Sequence, residues 1–93
     1  VRFFGANLAQ ANLEGANLSF ASLESVRLTR ANLTNAVLTG AYLTNALMNE
    51  AVITGADFTD ALLSPTTEKK LCEFASGTNP TTGRNTKDTL YCP

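Results

Sequence analysis

The chain has 93 residues, enough for one domain near the size at which a single core only just supports folding. Its net charge of −1 gives no electrostatic case for nucleic acid or an anionic membrane as partner. It holds no His and no apolar run long enough to span a bilayer, and its hydrophobic share of 44% is mostly Ala and Leu.

The chain opens at Val1 without Met, and an N-terminal segment, a signal peptide for instance, is expected to have been removed. From Val1 to Pro65 the sequence divides into thirteen units of five. The first position is Ala in eleven of them and Val at Val1 and Val26. The third is always large and apolar: Phe3, Leu8, Leu13, Leu18, Leu23, Leu28, Leu33, Leu38, Leu43, Met48, Ile53, Phe58 and Leu63. The fourth is mostly small or polar, often Thr.

A period of five suits neither regular element. On a helix, five residues turn the chain by about 500°, so successive leucines step roughly 140° around the axis and line no face. On a flat strand, residues five apart point to opposite sides. All the large side chains are buried together only if the chain turns after each unit and winds about a central axis. Each unit then sends one large residue and one Ala inward, because the narrow interior has no room for two large ones.

The frame of Ala6-Asn7-Leu8 and Ala56-Asp57-Phe58 resembles the pentapeptide-repeat family. That resemblance covers residues 1–65 and implies an all-β solenoid, a right-handed quadrilateral β-helix with four units per coil. Thirteen units make about three coils, each rising about 4.8 Å. Residues twenty apart are then expected to stack in columns, Phe3 over Leu23, Leu43 and Leu63, and Leu18 over Leu38 and Phe58. The second position departs from Asn or Asp in eight units, so its bonding to the backbone is expected to vary along the chain.

Beyond Pro65 the frame stops, and residues 66–93 read as a C-terminal cap. Thr66 to Ala75 is predicted to form a short helix, with Thr66 or Thr67 as N-cap and Gly77 as its stop. The stretch from Asn79 to Gly83 is turn chemistry. A solenoid end exposes strand edges and an apolar cross-section. Leu71 and Phe74, three apart on one helical face, are therefore expected to lie over the last coil near Phe58 and Leu63.

Cys72 and Cys92 bracket the weakly hydrophobic tail. A structural disulfide is the expected pairing, worth about 3 kcal/mol for a loop of that size, with two free thiols as the alternative. Two cysteines without His make a poor metal site, and a catalytic thiol pair lacks its C-x-x-C motif. The order Leu71-Cys72, Ala75-x-Gly77-x-Asn79-Pro80-x-Thr82-Gly83, Leu90-x-Cys92 is similar to the tail of cyanobacterial and thylakoid-lumen pentapeptide proteins. This second resemblance implies an exported protein of the thylakoid lumen or periplasm, in agreement with a disulfide.

No catalytic residues, cofactor, metal or small-molecule substrate are expected. The five acids of the repeat are Glu14, Glu24, Glu50, Asp57 and Asp60, and the last two, which share a unit, read as solvated surface acids. The triplets starting at Asn17 and Asn32 match a glycosylation acceptor, but the repeat frame generates them automatically. Apolar second positions at Val37, Tyr42, Leu47 and Val52 fall in consecutive units, and Leu62 follows. They would ring one coil, either as scattered side chains partly under the cap or as a band for a protein partner. At the other end Phe3 and Phe4 open the first coil, where a removed segment, a partner or self-association by head-to-head stacking could cover them. The expected function is a non-catalytic structural or protein-interaction module. The alternative is a DNA-mimic binder of DNA gyrase, the role of another branch of the family. It requires a strongly acidic rod, whereas these repeats carry five acids against three bases.

Overall fold

Each pentapeptide spends its first three residues extended and its last two turning a corner. A computed structural model describes this for residue 3, residues 5–90 and residue 92; the Phe4 side of the expected N-terminal stacking surface lies outside the described residues. At every corner the first-position N–H donates to the third-position carbonyl of the unit before, as from Ala11 to Leu8 at 3.0 Å and from Ala36 to Leu33 at 3.0 Å. The fifth residue takes positive φ throughout, from Gly5 to Asp60. A type II turn demands that conformation at its third residue. Glycine supplies it without strain at only four corners; at the other eight a side chain is carried in the left-handed region.

Four corners close one coil, because the register between neighbouring coils is twenty residues. Parallel bridges join Asn7 to Arg27, Arg27 to Leu47, Ser22 to Tyr42, and Tyr42 to Leu62. The third- and fifth-position amides donate to carbonyls nineteen residues on, as Leu28 does to Leu47 at 2.7 Å and Arg30 to Asn49 at 2.9 Å. Second-position amides donate in the opposite direction, as Asp57 does to Ala36 at 2.9 Å.

The second position holds the corner from outside wherever it is Asn or Asp. Asn7, Asn12, Asn17, Asn32 and Asp57 each accept, through Oδ1, the N–H two residues ahead at 2.9–3.2 Å. Inside, Leu23, Leu28, Leu33, Leu38, Leu43, Ile53 and Phe58 are almost wholly removed from water, and Leu18 and Met48 nearly so. Phe3, Leu8 and Leu13 in the first coil and Leu63 in the last are half-buried, because each has a neighbouring coil on one side only.

The cap begins with α1, Pro65–Phe74. Its N-cap is Ser64 and not the expected Thr66 or Thr67, because Pro65 occupies the first helical position. Proline's fixed φ suits that place and its missing N–H costs nothing there. The helix ends at Phe74 with Ala75 as C-cap, so Gly77 does not stop it. Gly77 has φ +81°, and a Cβ there would lie 3.1 Å from Gly55 N and 3.2 Å from Thr54 Cγ2. It is required where the tail passes tightly against the last coil. There the tail adds itself to the coil edge: Gly55 N–H donates to Ser76 O at 2.8 Å. Thr78 pairs antiparallel with Asn85, and α2, Thr86–Thr89, carries the chain back toward Cys92.

Candidate functional site

Of the two residues expected to cover the last coil, Leu71 does so and Phe74 does not. Leu71 is buried in the core cluster, as are Ala75 and Leu90. Phe74 is not: its side chain is 67% exposed. It is the final residue of α1 and lies beside Glu50–Thr54, outside the apolar cross-section. Leu90, just after α2, takes the covering role given to Phe74. Cys72 and Cys92 are disulfide-bonded, with Cα atoms 5.6 Å apart, which ties α1 to the end of the chain.

Polar contacts clamp the rest of the cap to the solenoid. Asn79 is fully buried, and its Nδ2 donates to Asn35 O at 3.2 Å and Ala36 O at 3.1 Å. Its Oδ1 accepts from the backbone of Thr81 and Thr82 at 2.9 and 3.0 Å, so both ends of the amide are used. Asp57, read as a solvated acid, is 0% exposed, and Arg84 Nη1 reaches its Oδ2 at 3.1 Å. Burial alone would push this carboxyl's pKa up. Hydrogen bonds from the Thr59 and Thr82 hydroxyls, the Thr59 N–H and Arg84 outweigh it and hold the pKa below the ordinary 3.8. Asp60, its neighbour in the unit, stays exposed as expected for a surface acid.

Outward-facing apolar residues are spread over the faces of the coil. Val37, Tyr42, Leu47 and Val52 sit on four different faces, since each belongs to a different twenty-residue column. Tyr42, Leu47, Val52 and Leu62 are exposed, whereas Val37 is half-buried. Phe20, at a corner that sequence reasoning passed over, is 70% exposed with φ +60°. Its ring lies on Gly40 one coil below, where a Cβ would come within 2.5 Å of Phe20 Cε1. The only signal for it in the sequence is a large side chain twenty residues ahead of a glycine. With Tyr42 two residues past Gly40 and Leu62 beneath Tyr42, an apolar strip runs down one face.

Two recesses lie between the cap and the coil edge. One groove of about 480 Å³ runs between α1 and the edge of the last coil from Ala46 to Ala51. A second, of about 410 Å³, continues it along Val52–Thr54 and shares Phe74. Among the described residues, no group of His, Cys, Asp and Glu side chains is gathered as metal ligands would be, and no helix is long and apolar enough to cross a membrane.

Comparison with known proteins gives a consistent picture. The model of the family described as pentapeptide repeats matches residues 2–40 and 27–64. A pentapeptide repeat protein of the Arabidopsis thaliana thylakoid lumen has a crystal structure similar to this chain, with TM-score 0.76 and 42% identity. The match covers 98% of this chain and 67% of that one. A pentapeptide repeat protein from Nostoc matches at TM-score 0.49 and 27% identity, over 66% of this chain and 59% of its own. Another, from the cyanobacterium Cyanothece, matches at 0.38 and 29%, over 66% and 45%. No curated protein matches the chain by sequence.

Proposed function

The chain belongs to the pentapeptide-repeat family, with its right-handed β-helix, and we propose that it is a non-catalytic protein-interaction module of an exported, oxidising compartment. One observation carries the reading: the interior is filled by stacked large apolar side chains, while Phe20, Tyr42 and Leu62 are held outward on one rigid face. A solid solenoid has no chamber for a substrate, and exposed apolar side chains in line are what a protein partner uses. Export is supported by the lumenal origin of the similar Arabidopsis protein and by the Cys72–Cys92 bond.

The acidic-rod alternative loses ground on charge. Of the five repeat acids, Asp57 is buried against Arg84, and Glu50 meets Arg30 Nε at 2.6 Å. Little unpaired negative charge is left to imitate a phosphate backbone.

Two measurements test the proposal. Thiol labelling of protein taken from the cells that make it should leave Cys72 and Cys92 protected until reductant is added; two freely labelled thiols overturn the assignment to an exported compartment. Chemical cross-linking in those cells should trap partners that are lost when Phe20, Tyr42 and Leu62 are changed to Ser. An unchanged cross-link pattern overturns the role given to that face.

A further inference from the structure

Within the solenoid, a coil edge is satisfied by the coil that follows it. Leu28, Arg30 and Leu33 donate to carbonyls of Leu47, Asn49 and Val52. One coil lower the same positions are Met48, Glu50 and Ile53, and the residues nineteen further on, Thr67, Lys69 and Cys72, belong to α1. Among the described residues, their amides and the carbonyls of Ala46 and Ala51 have no hydrogen-bond partner. At Gly55 a single bond is made, to Ser76 O at 2.8 Å, two residues further along than the coil-to-coil register. The molecule thus leaves an open stretch of strand edge that leads to the Gly55 amide, which its own tail has paired.

This open stretch forms one wall of the continuous groove beside α1. Leu47 and Val52 are exposed along it, and Phe74 projects at its midpoint instead of packing into the core. Glu50 is already engaged by Arg30, which leaves Lys70 of α1 as a cation facing the groove with no partner among the described residues.

We propose that this groove binds a segment of another polypeptide by strand addition, the segment turning with the coil at its Asn49–Glu50 corner. The segment pairs with Met48, Glu50 and Ile53, packs an apolar side chain against Phe74, and brings a carboxylate to Lys70. Backbone pairing supplies affinity, and the alternate side chains supply selectivity. The proposal rests on the interaction-module reading but uses a different surface from the Phe20–Tyr42–Leu62 face.

The test is a random peptide library selected on the intact chain and counter-selected on Phe74→Glu, a change at an exposed position. Synthetic copies of the enriched peptides are then titrated into isotope-labelled protein and followed by amide NMR. The expected result is saturable shifts centred on Met48, Glu50 and Ile53, with exchange of those amides slowed about tenfold or more. N-methylation of the peptide's pairing amides and Lys70→Glu should each weaken binding by about tenfold. Peptides that bind while those three amides exchange as before, or that tolerate N-methylation, overturn strand addition. Peptides that map to Phe20, Tyr42 and Leu62 overturn it too, yet leave the module reading standing. Enrichment on no surface overturns both.

Discussion

The side-chain amide of Asn79 reaches back forty-three residues to the carbonyl of Ala36, at 3.1 Å, and joins the cap to the middle coil as well as the last. It does so from full burial, with its Oδ1 accepting from Thr81 and Thr82. Asn79→Ala therefore strands two cap N–H groups and opens a cavity, and should cost about 2–3 kcal/mol. Asn79→Asp should cost more, because a carboxylate would then face the carbonyls of Asn35 and Ala36. Urea unfolding of the two variants checks both the size and the order; equal stability would mean that the cap is held elsewhere.

What the sequence made legible follows from which rules were local. A large residue every fifth position cannot be buried on a helix or a flat strand, so the winding could be read directly, while the column of Leu18, Leu38 and Phe58 needed the four units per coil that the family resemblance implies. The αL corner could not, since Gln10, Phe20, Arg30 and Glu50 carry no turn signature and are held there by the coil-to-coil bonds. Cap residues were harder still. Asn79 reads as a turn former and Asp57 as a surface acid until the tail is seen to fold onto Ala36 and Thr59. Phe74 stays exposed while Leu90 is buried, a choice made by how the tail folds back and one that the shared helical face of Leu71 and Phe74 does not reveal.

Acid should loosen the cap through Asp57. Its folded pKa lies below the unfolded value, so the stability it lends is present above about pH 4 and is lost as pH falls through the folded pKa. Because Arg84 is 51% exposed, the pair is screened, and Asp57→Asn should cost about 1–2 kcal/mol at neutral pH. The variant should also flatten the acid limb of thermal stability below about pH 4. A limb that stays equally steep would assign acid sensitivity to other carboxylates.

The disulfide should govern the cap and leave the solenoid intact. Cys72 and Cys92 enclose Asn79, Arg84 and Leu90, whereas the buried columns from Leu18 to Phe58 lie wholly outside that loop. Replacing both cysteines with Ala should lower stability by about 3 kcal/mol. Native-state hydrogen exchange should show the loss at Gly83 and Leu90 while Leu33 and Leu38 keep their protection. Uniform loss across all these amides would mean that cap and coils unfold as one unit.

Corner glycines should differ in cost although all share positive φ. Gly15 has open space where a Cβ would point, so Gly15→Ala meets only the left-handed backbone penalty, about 1 kcal/mol. At Gly55 an added Cβ would overlap Asn35 Oδ1 and lie 3.3 Å from the Thr78 carbonyl, at the place where the tail pairs with the coil. Relief there requires Asn35 to move and the tail to shift, so Gly55→Ala should cost about 3 kcal/mol or more. The converse applies at Gln10, an exposed corner with φ +63°. Gln10→Gly removes the left-handed penalty and gives back part of it as unfolded-state entropy, for a net gain of about 0.5 kcal/mol. Urea midpoints for the three variants should rank Gln10→Gly above the parent, Gly15→Ala below it and Gly55→Ala lowest. If Gly15→Ala and Gly55→Ala cost the same, backbone conformation alone sets the price at the corners, and the close approach of the tail contributes nothing measurable.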